Sequence, residues 1–226
     1  MYKFLRIIND KIVSGYNNDF IWEIDKWYTV KGRLSICKNG FHCSEKPLDA
    51  LSYIAGEILA EVETMGKSIK EKDKQCWQKM KLVKAHNWTK KDSVGLAIYS
   101  AELVLDIYEK QYPNDKQPRD AIKAAKRVLK NDNKKNRLAA WSAAESAESA
   151  ESTWSATWSV ARSAAESAWS AAWSAASSAE SAWSAAWSAA RSAAWSAWSA
   201  AESAAEETNN KINIWIINHI KELKEL

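Results

Sequence analysis

Apolar and polar positions follow two different rules along this 226-residue chain. Through residues 1–90, short apolar runs rich in Ile, Val, Tyr and Trp are punctuated by turn residues. From 93 to 207, β-branched alternation disappears and long Ala/Ser/Lys stretches carry apolar residues at helical spacing. In the first region Tyr2-Lys-Phe-Leu-Arg-Ile-Ile8 reads as a buried strand, Asn9-Asp10-Lys11 as a turn, and 11–16 as the returning strand. Trp27-Tyr-Thr-Val30 precedes a turn at Lys31-Gly32, a short strand at 34–37 and the turn signal Lys38-Asn39-Gly40. Phe41-His42-Cys43 follows as an extended segment. Ser44 is placed to cap a helix that Pro47 begins and that runs over 48–59. Residues 59–63 and 80–85 read as further strands. The pattern predicts a small α+β domain over 1–90.

The second region reads as all-α over 93–226. Asp92 or Ser93 caps a helix to about Gln111, with Leu96, Tyr99, Leu103 and Ile107 on one face. Pro113-Asn114-Asp115 breaks it. Pro118 suits the first turn of the next helix, and Asp120 lies near its positive end. Asn131-Asp132-Asn133 ends that helix. From about Lys135 to about Glu207 there is no Gly or Pro, and Thr208-Asn209-Asn210 separates a last helix, 211–225, read as a docking helix.

Within this region 140–207 is a repeat of Ala, Ser and Trp. A large residue followed by Ser recurs from Trp141 to Glu202, and Glu206 ends the series, giving 65 residues in 18 steps, or 3.61 per step. An α-helix has about 3.6 residues per turn. The nine Trp of the tract therefore share one helical stripe with Glu and Arg, and Ala covers the rest. As one straight helix the tract would be roughly 100 Å long, against a radius of gyration of roughly 17 Å for a compact chain of this length. It either folds back, as a helical bundle, or forms a rod of long helices. Consecutive steps of three place reversals near 145–154 or 177–183.

Composition narrows the function without naming it. Net charge is +4, with the excess at 66–91 and 110–137, which solvated helix faces account for; it falls short of a nucleic-acid stripe. No run of 18 apolar residues exists, which argues against a membrane span. Three Cys (Cys37, Cys43, Cys76), with no signal peptide ahead of them, predict free thiols in a cytoplasmic protein. Cys37, His42, Cys43 and Cys76 do not match a common zinc spacing, so no metal and no cofactor is expected. His42 and Cys43, adjacent on a strand, point to opposite faces and make no nucleophile–base pair. Glu61-Val-Glu63 reads as a solvated edge, and His86 and His219 receive no role.

The Trp stripe has three readings. As core, each buried Trp contributes roughly 2–3 kcal/mol. As an interface, it would bind a protein partner through the Trp at its margins, which by phase are Trp141, Trp154, Trp183 and Trp195. Base stacking on single strands needs interleaved cations, and seven Glu against Arg162 and Arg191 argue against it.

Two motifs bring resemblances. Tyr112-Pro-Asn-Asp-Lys-Gln-Pro-Arg-Asp-Ala-Ile-Lys-Ala-Ala125 resembles the signature of immunity proteins found beside polymorphic toxins and in phages, with Gln117 where Arg is usual. The likeness covers about 93–207. It implies a non-enzymatic binding protein whose partner is a toxin or defence effector, with Tyr112, Asp115 and Arg119 as candidate contacts and Asp115 able to pair with Arg119. Leu34-Ser-Ile-Cys-Lys-Asn-Gly-Phe-His-Cys-Ser-Glu-Lys-Pro-Leu-Asp49 is similar to a small phage and mobile-element domain of unknown function, with Ile36 in the place of leucine. The same stretch is similar to ADP-ribosyltransferase-like folds, which implies as an alternative a NAD or nucleotide pocket lined by His42 and Glu63. No full His/Arg–Ser/Tyr–Glu set accompanies it. A third alternative is a structural rod or oligomerisation stalk; a homo-oligomer fits the repeat.

Overall fold

The computed structural model describes residues 1–15, 20–54, 56–152, 188–193 and 202–226. The chain divides into two compact units: 1–88 with 216–226, and 89–215. The last eleven residues thus group with the first unit, although the sequence pattern assigns them to the helical region. Their backbone explains this. The Asn87 N–H donates to the Lys224 carbonyl at 3.2 Å, and the Leu226 N–H to the Ala85 carbonyl at 2.9 Å. The tail therefore satisfies backbone groups at one end of a strand.

The first unit is a curled antiparallel sheet. Its strands are β1 (Tyr2–Ile8), β2 (Lys11–Val13), β3 (Ile21–Trp22), β4 (Tyr28–Thr29), β5 (Phe41–Cys43), β6 (Ile58–Lys70) and β7 (Gln75–Asn87), with the short helix α1 (Pro47–Leu51) between β5 and β6. The order is β3-β2-β1-β6-β7-β4, and β5 pairs with β7. β1 also meets the segment just after β5, where Tyr2 and Ser44 exchange backbone bonds of 2.8 and 2.9 Å. Leu5, Trp22, Phe41, Ile58, Val62, Met80 and Leu82 form the core inside the curl.

Long-range pairing overrides local signals here. The helix expected over 48–59 stops at Leu51 because Leu59 and Ile58 pair with Phe4 and Leu5 of β1. Gly56 admits no Cβ, since one would lie 2.1 Å from the Leu5 carbonyl oxygen. The strands expected at 59–63 and 80–85 each extend to thirteen residues, because β6 and β7 form one long hairpin. A register shift between Met65 and Ser68 contains Gly66 at φ 87°, a bulge that glycine accommodates without strain. Residues 34–37 form no strand; Ser35 and Asn39 bridge across a tight turn instead.

The second unit is helical. α2 (Lys90–Gln111), α3 (Gln117–Lys130) and α4 (Lys134–Ser152) run in succession, and α3 packs on both neighbours. α2 begins one turn earlier than the Asp92 or Ser93 cap predicts. Thr89 is the N-cap, and Asp92 reaches back to its N–H at 2.7 Å in a capping box. α3 buries Pro118, Ala121, Ile122, Ala124, Ala125 and Val128, one stripe at helical spacing. α4 stays helical through Ser152, so no reversal occurs at 145–152. The rest of that reversal site and the one at 177–183 lie outside the described residues.

Further helix covers 188–193 and α5 (Glu202–Ile220). Thr208-Asn209-Asn210 does not separate a last helix. Thr208 is buried, and the Asn213 amide donates to the Asn209 carbonyl at 2.8 Å, one turn back, so these polar side chains are absorbed without a break. No described helix is long and apolar enough to cross a membrane. The mixed α+β class stands: a curled antiparallel sheet, then a helical region.

Candidate functional site

The interior face of β1 carries the first sign of a site. Met1 and Leu5 both pack on the core, and Lys3 lies between them on the same face. A lysine at a core-facing position breaks the local pattern, and such breaks concentrate where function constrains the chain. The Lys3 ammonium donates to the His42 carbonyl at 2.8 Å and sits 5.9 Å from the Trp22 ring centroid. Burial lowers its pKa to about 8, against the opposing pull of the Cys43 and Cys76 thiols. No described carboxylate lies within ion-pairing distance of it.

Beside Lys3 the sheet is hollow. A cavity of about 540 Å³ is lined by β1, β5, α1 and the loops around Ser14, Val30 and Cys37. Its apolar wall includes Phe4, Phe20, Val30, Phe41 and Ile54. Phe20 and Phe41 belong to an edge-to-face cluster with Trp22 and Tyr28, ring centroids 4.9–5.3 Å apart, which makes that wall stiff. The polar lining holds Lys3, Lys38, Lys74 and His42 and, among the described residues, no Asp or Glu.

The Cys-x-x-Gly-Phe-His stretch is the local device that shapes this wall. Gly40 has φ 137°, and a Cβ there would lie 2.2 Å from the Cys76 sulfur. Asn39 ties the turn by donating to the Lys31 and Arg33 carbonyls at 2.9 and 3.0 Å. His42 closes it: its Nε2 accepts the Cys37 N–H at 3.0 Å, and the ring also hydrogen-bonds the Gly40 backbone. Burial, then Lys3 and Lys74, lower the His42 pKa, which holds the ring neutral as an acceptor must be. His42 is a latch on the 37–42 loop, with its ring committed to backbone. Cys37, at φ 61°, is exposed at the cavity, and Lys74 Nζ lies 3.7 Å from its sulfur. Cys43 and Cys76 are buried, and burial raises both pKa values, Cys43 to about 11. All three are free thiols.

The pairing of His42 with Glu63 is not made. His42 lines the cavity, whereas Glu63 is exposed and pairs with Lys81 across the β6–β7 hairpin at 3.1 Å. Glu61 is no solvated edge either; its carboxylate meets the buried His86 Nε2 at 3.1 Å. Lys3 and Lys74 escaped the sequence reading. Alternation along β1 carried the signal for Lys3, since positions 1, 3 and 5 share a face.

At the corner between α2 and α3 the partners differ from those expected. Asp115 does not pair with Arg119. One of its oxygens accepts the Tyr108 hydroxyl, and the other accepts the Gln117 N–H at 2.9 Å, at the start of α3. Arg119 instead binds Glu109 through two hydrogen bonds and holds that carboxylate pKa down. Tyr112 ends α2 with its ring tilted against Tyr108, 5.2 Å away. Trp141 is 40% exposed, while Ala140 and Ala144 on the same helix are fully buried. Trp154, Trp183 and Trp195 lie outside the described residues. The Ser146 hydroxyl donates to the Ser142 carbonyl at 3.0 Å, as expected for serine inside a helix.

A small curled antiparallel sheet with a hollow, cation-lined interior is thus the class of module the first unit represents. Residues 3–91 match the family described as "Domain of unknown function (DUF7666)". The match covers less than half of the chain and spans the strands, the Gly-Phe-His turn and the cavity described above. No immunity-protein family matches the helical region. No curated protein and no solved structure matches the chain.

Proposed function

We propose that the first unit is a binding module that holds a small molecule in its interior cavity, without turning it over. One observation carries this reading: a concave pocket of about 540 Å³ beside the packed core of the sheet. That volume lies within the range of small-molecule sites, roughly 300–1,000 Å³, as does the mix of apolar wall and few polar groups. The polar set supports binding over catalysis. The cavity offers no carboxylate among the described residues, and the His42 ring is engaged by backbone on the 37–42 loop. The test uses the neutral apolar fluorophore N-phenyl-1-naphthylamine. The full chain should enhance its emission with one site, and Val30→Trp, which plugs the cavity, should abolish the enhancement while the fold persists by circular dichroism. Equal enhancement by wild type and plugged protein would sink the reading.

A second reading assigns the helical unit a protein partner, a toxin or defence effector as the Tyr112–Arg119 resemblance implies. Leu138 and Trp141, three positions apart on α4 and 61% and 40% exposed, support it. A toxin encoded beside the protein supplies the test. Co-expression should rescue growth, and Leu138→Ser with Trp141→Ser should remove the rescue without loss of helix. Rescue by the doubly substituted chain would refute an interface there.

A further inference from the structure

Among the described residues, Lys3 is an interior cation without an anion. It occupies a core-facing position of β1, contacts the His42 carbonyl and the Trp22 ring, and meets no carboxylate among the described residues. A charge in such a place destabilises the fold unless something pairs with it. Nothing about the sheet demands it, because Met or Leu at position 3 would continue the apolar face set by Met1 and Leu5. Lys3 is also one member of a group. Lys74 lies close enough to act on the His42 ring together with Lys3, and Lys38 adds a third ammonium at the exposed side of the cavity. Among the described residues the carboxylates near the cavity are already engaged or lie behind its wall: Glu71 is paired with Lys74 at 3.4 Å and also acts on His42, Asp73 bonds the Tyr53 hydroxyl, and Glu45 accepts from Gln75.

From this arrangement we infer that the cavity takes an organic phosphate, with Lys3 as the interior counter-charge, Lys74 as a second contact and the apolar wall of Phe20, Val30 and Phe41 against the organic part. The inference rests on the small-molecule reading above. Lysine favours phosphate over carboxylate here. Ammonium groups act as point charges that can converge on a tetrahedral dianion from several directions, whereas planar carboxylates are matched by the guanidinium fork, and among the described residues no Arg lines the cavity. The same arrangement explains why an unfavourable lysine is tolerated: a residue kept for binding depresses stability in the empty protein.

The experiment is titration calorimetry of the full chain with AMP, adenosine and inorganic phosphate, repeated with Lys3→Met and Lys3→Arg. AMP should bind at least tenfold more tightly than adenosine, which lacks the phosphate, and more tightly than inorganic phosphate, which lacks the apolar body. Lys3→Met should weaken AMP binding at least tenfold while leaving the melting temperature of the ligand-free protein unchanged or higher. Lys3→Arg, which keeps the charge, should retain a larger part of the affinity. A purely structural lysine would give the opposite result, a lower melting temperature with AMP affinity intact. Equal affinity for AMP and adenosine would overturn the inference, as would AMP binding indifferent to Lys3→Met or no AMP binding at all. If AMP fails while N-phenyl-1-naphthylamine still enters the wild-type cavity and is excluded by Val30→Trp, the small-molecule reading stands and the phosphate assignment falls. If the fluorophore also fails to distinguish the plugged protein, both fall.

Discussion

The two units of this protein close their interiors in opposite ways. In the first, large residues of many kinds meet inside a curled sheet and leave a hollow with a lysine in its wall. In the second, alanines at the described helix contacts, such as Ala121, Ala124, Ala125, Ala140 and Ala144, sit at 0–1% exposure. Small side chains let helix backbones approach closely and leave little space. The difference is one of information. A varied sequence can place one unusual residue at one position, as with Lys3 and Gly40. A repeat of three residue types gives every turn nearly the same surface. The proposed small-molecule site belongs with the first kind of construction, the proposed protein surface with the second.

The comparison is easiest to break at Gly40. Gly40→Ala places a methyl group 2.2 Å from the Cys76 sulfur on a backbone at φ 137°. It should cost about 3 kcal/mol or more in urea unfolding and disorder the cavity wall. A cost below about 1 kcal/mol would show that the wall is loosely built. In the helical unit the sharpest probe is overpacking. Ala125→Leu, at a fully buried position of α3, should cost about 1–3 kcal/mol. A stabilising outcome would mean that the alanine contacts leave voids after all.

At the Tyr-Pro-Asn-Asp corner, Asp115→Ala removes a carboxylate that accepts from the buried Tyr108 hydroxyl and a hydrogen bond to the start of α3. About 1–2 kcal/mol is expected. Arg119→Ala, which breaks a partly exposed pair with Glu109, should cost distinctly less. The reverse order would restore the motif reading in which Arg119 organises the corner.

The smallest effect concerns acid. His42 has a pKa below its ordinary value of 6.5 in the folded protein. Below pH about 6.5 the unfolded chain therefore binds more protons than the folded one at this site. Stability is unaffected above that pH and declines as pH falls through 6.5 towards the folded value. Urea titrations between pH 7 and pH 5 should show this slope in the wild type and a shallower one in His42→Gln. Equal slopes would mean that the latch is not held neutral.

Much of this was legible in the sequence, for local reasons. β1, the Lys38-Asn39-Gly40 turn, the extended Phe41–Cys43 segment and α2 and α3 announce themselves through alternation, turn residues and prolines. Non-local pairing was not legible. The hairpin of β6 and β7 recruits Ile58 and Leu59 away from a helical pattern, and Thr208-Asn209-Asn210 reads as a stop until Asn213 answers Asn209 one turn back. At the site, the Gly-Phe-His stretch was visible, but its purpose was not. His42 lines the cavity and its ring also latches the 37–42 loop, while Glu63 reads as its partner only until the hairpin pairs it with Lys81. The Asp115–Arg119 pair failed for a similar reason. Tyr108 and Glu109, in the last turn of α2, offer each of them better geometry than a partner four positions away.

The most direct test of the contrast between a hollow unit and a closed one is amide hydrogen exchange of the full chain with and without saturating AMP. Exchange should slow at 37–44 and 74–77, the segments that form the cation-lined wall, and stay unchanged across α3 at 117–130. Protection confined to the helical unit, or absent from 37–44, would contradict the account.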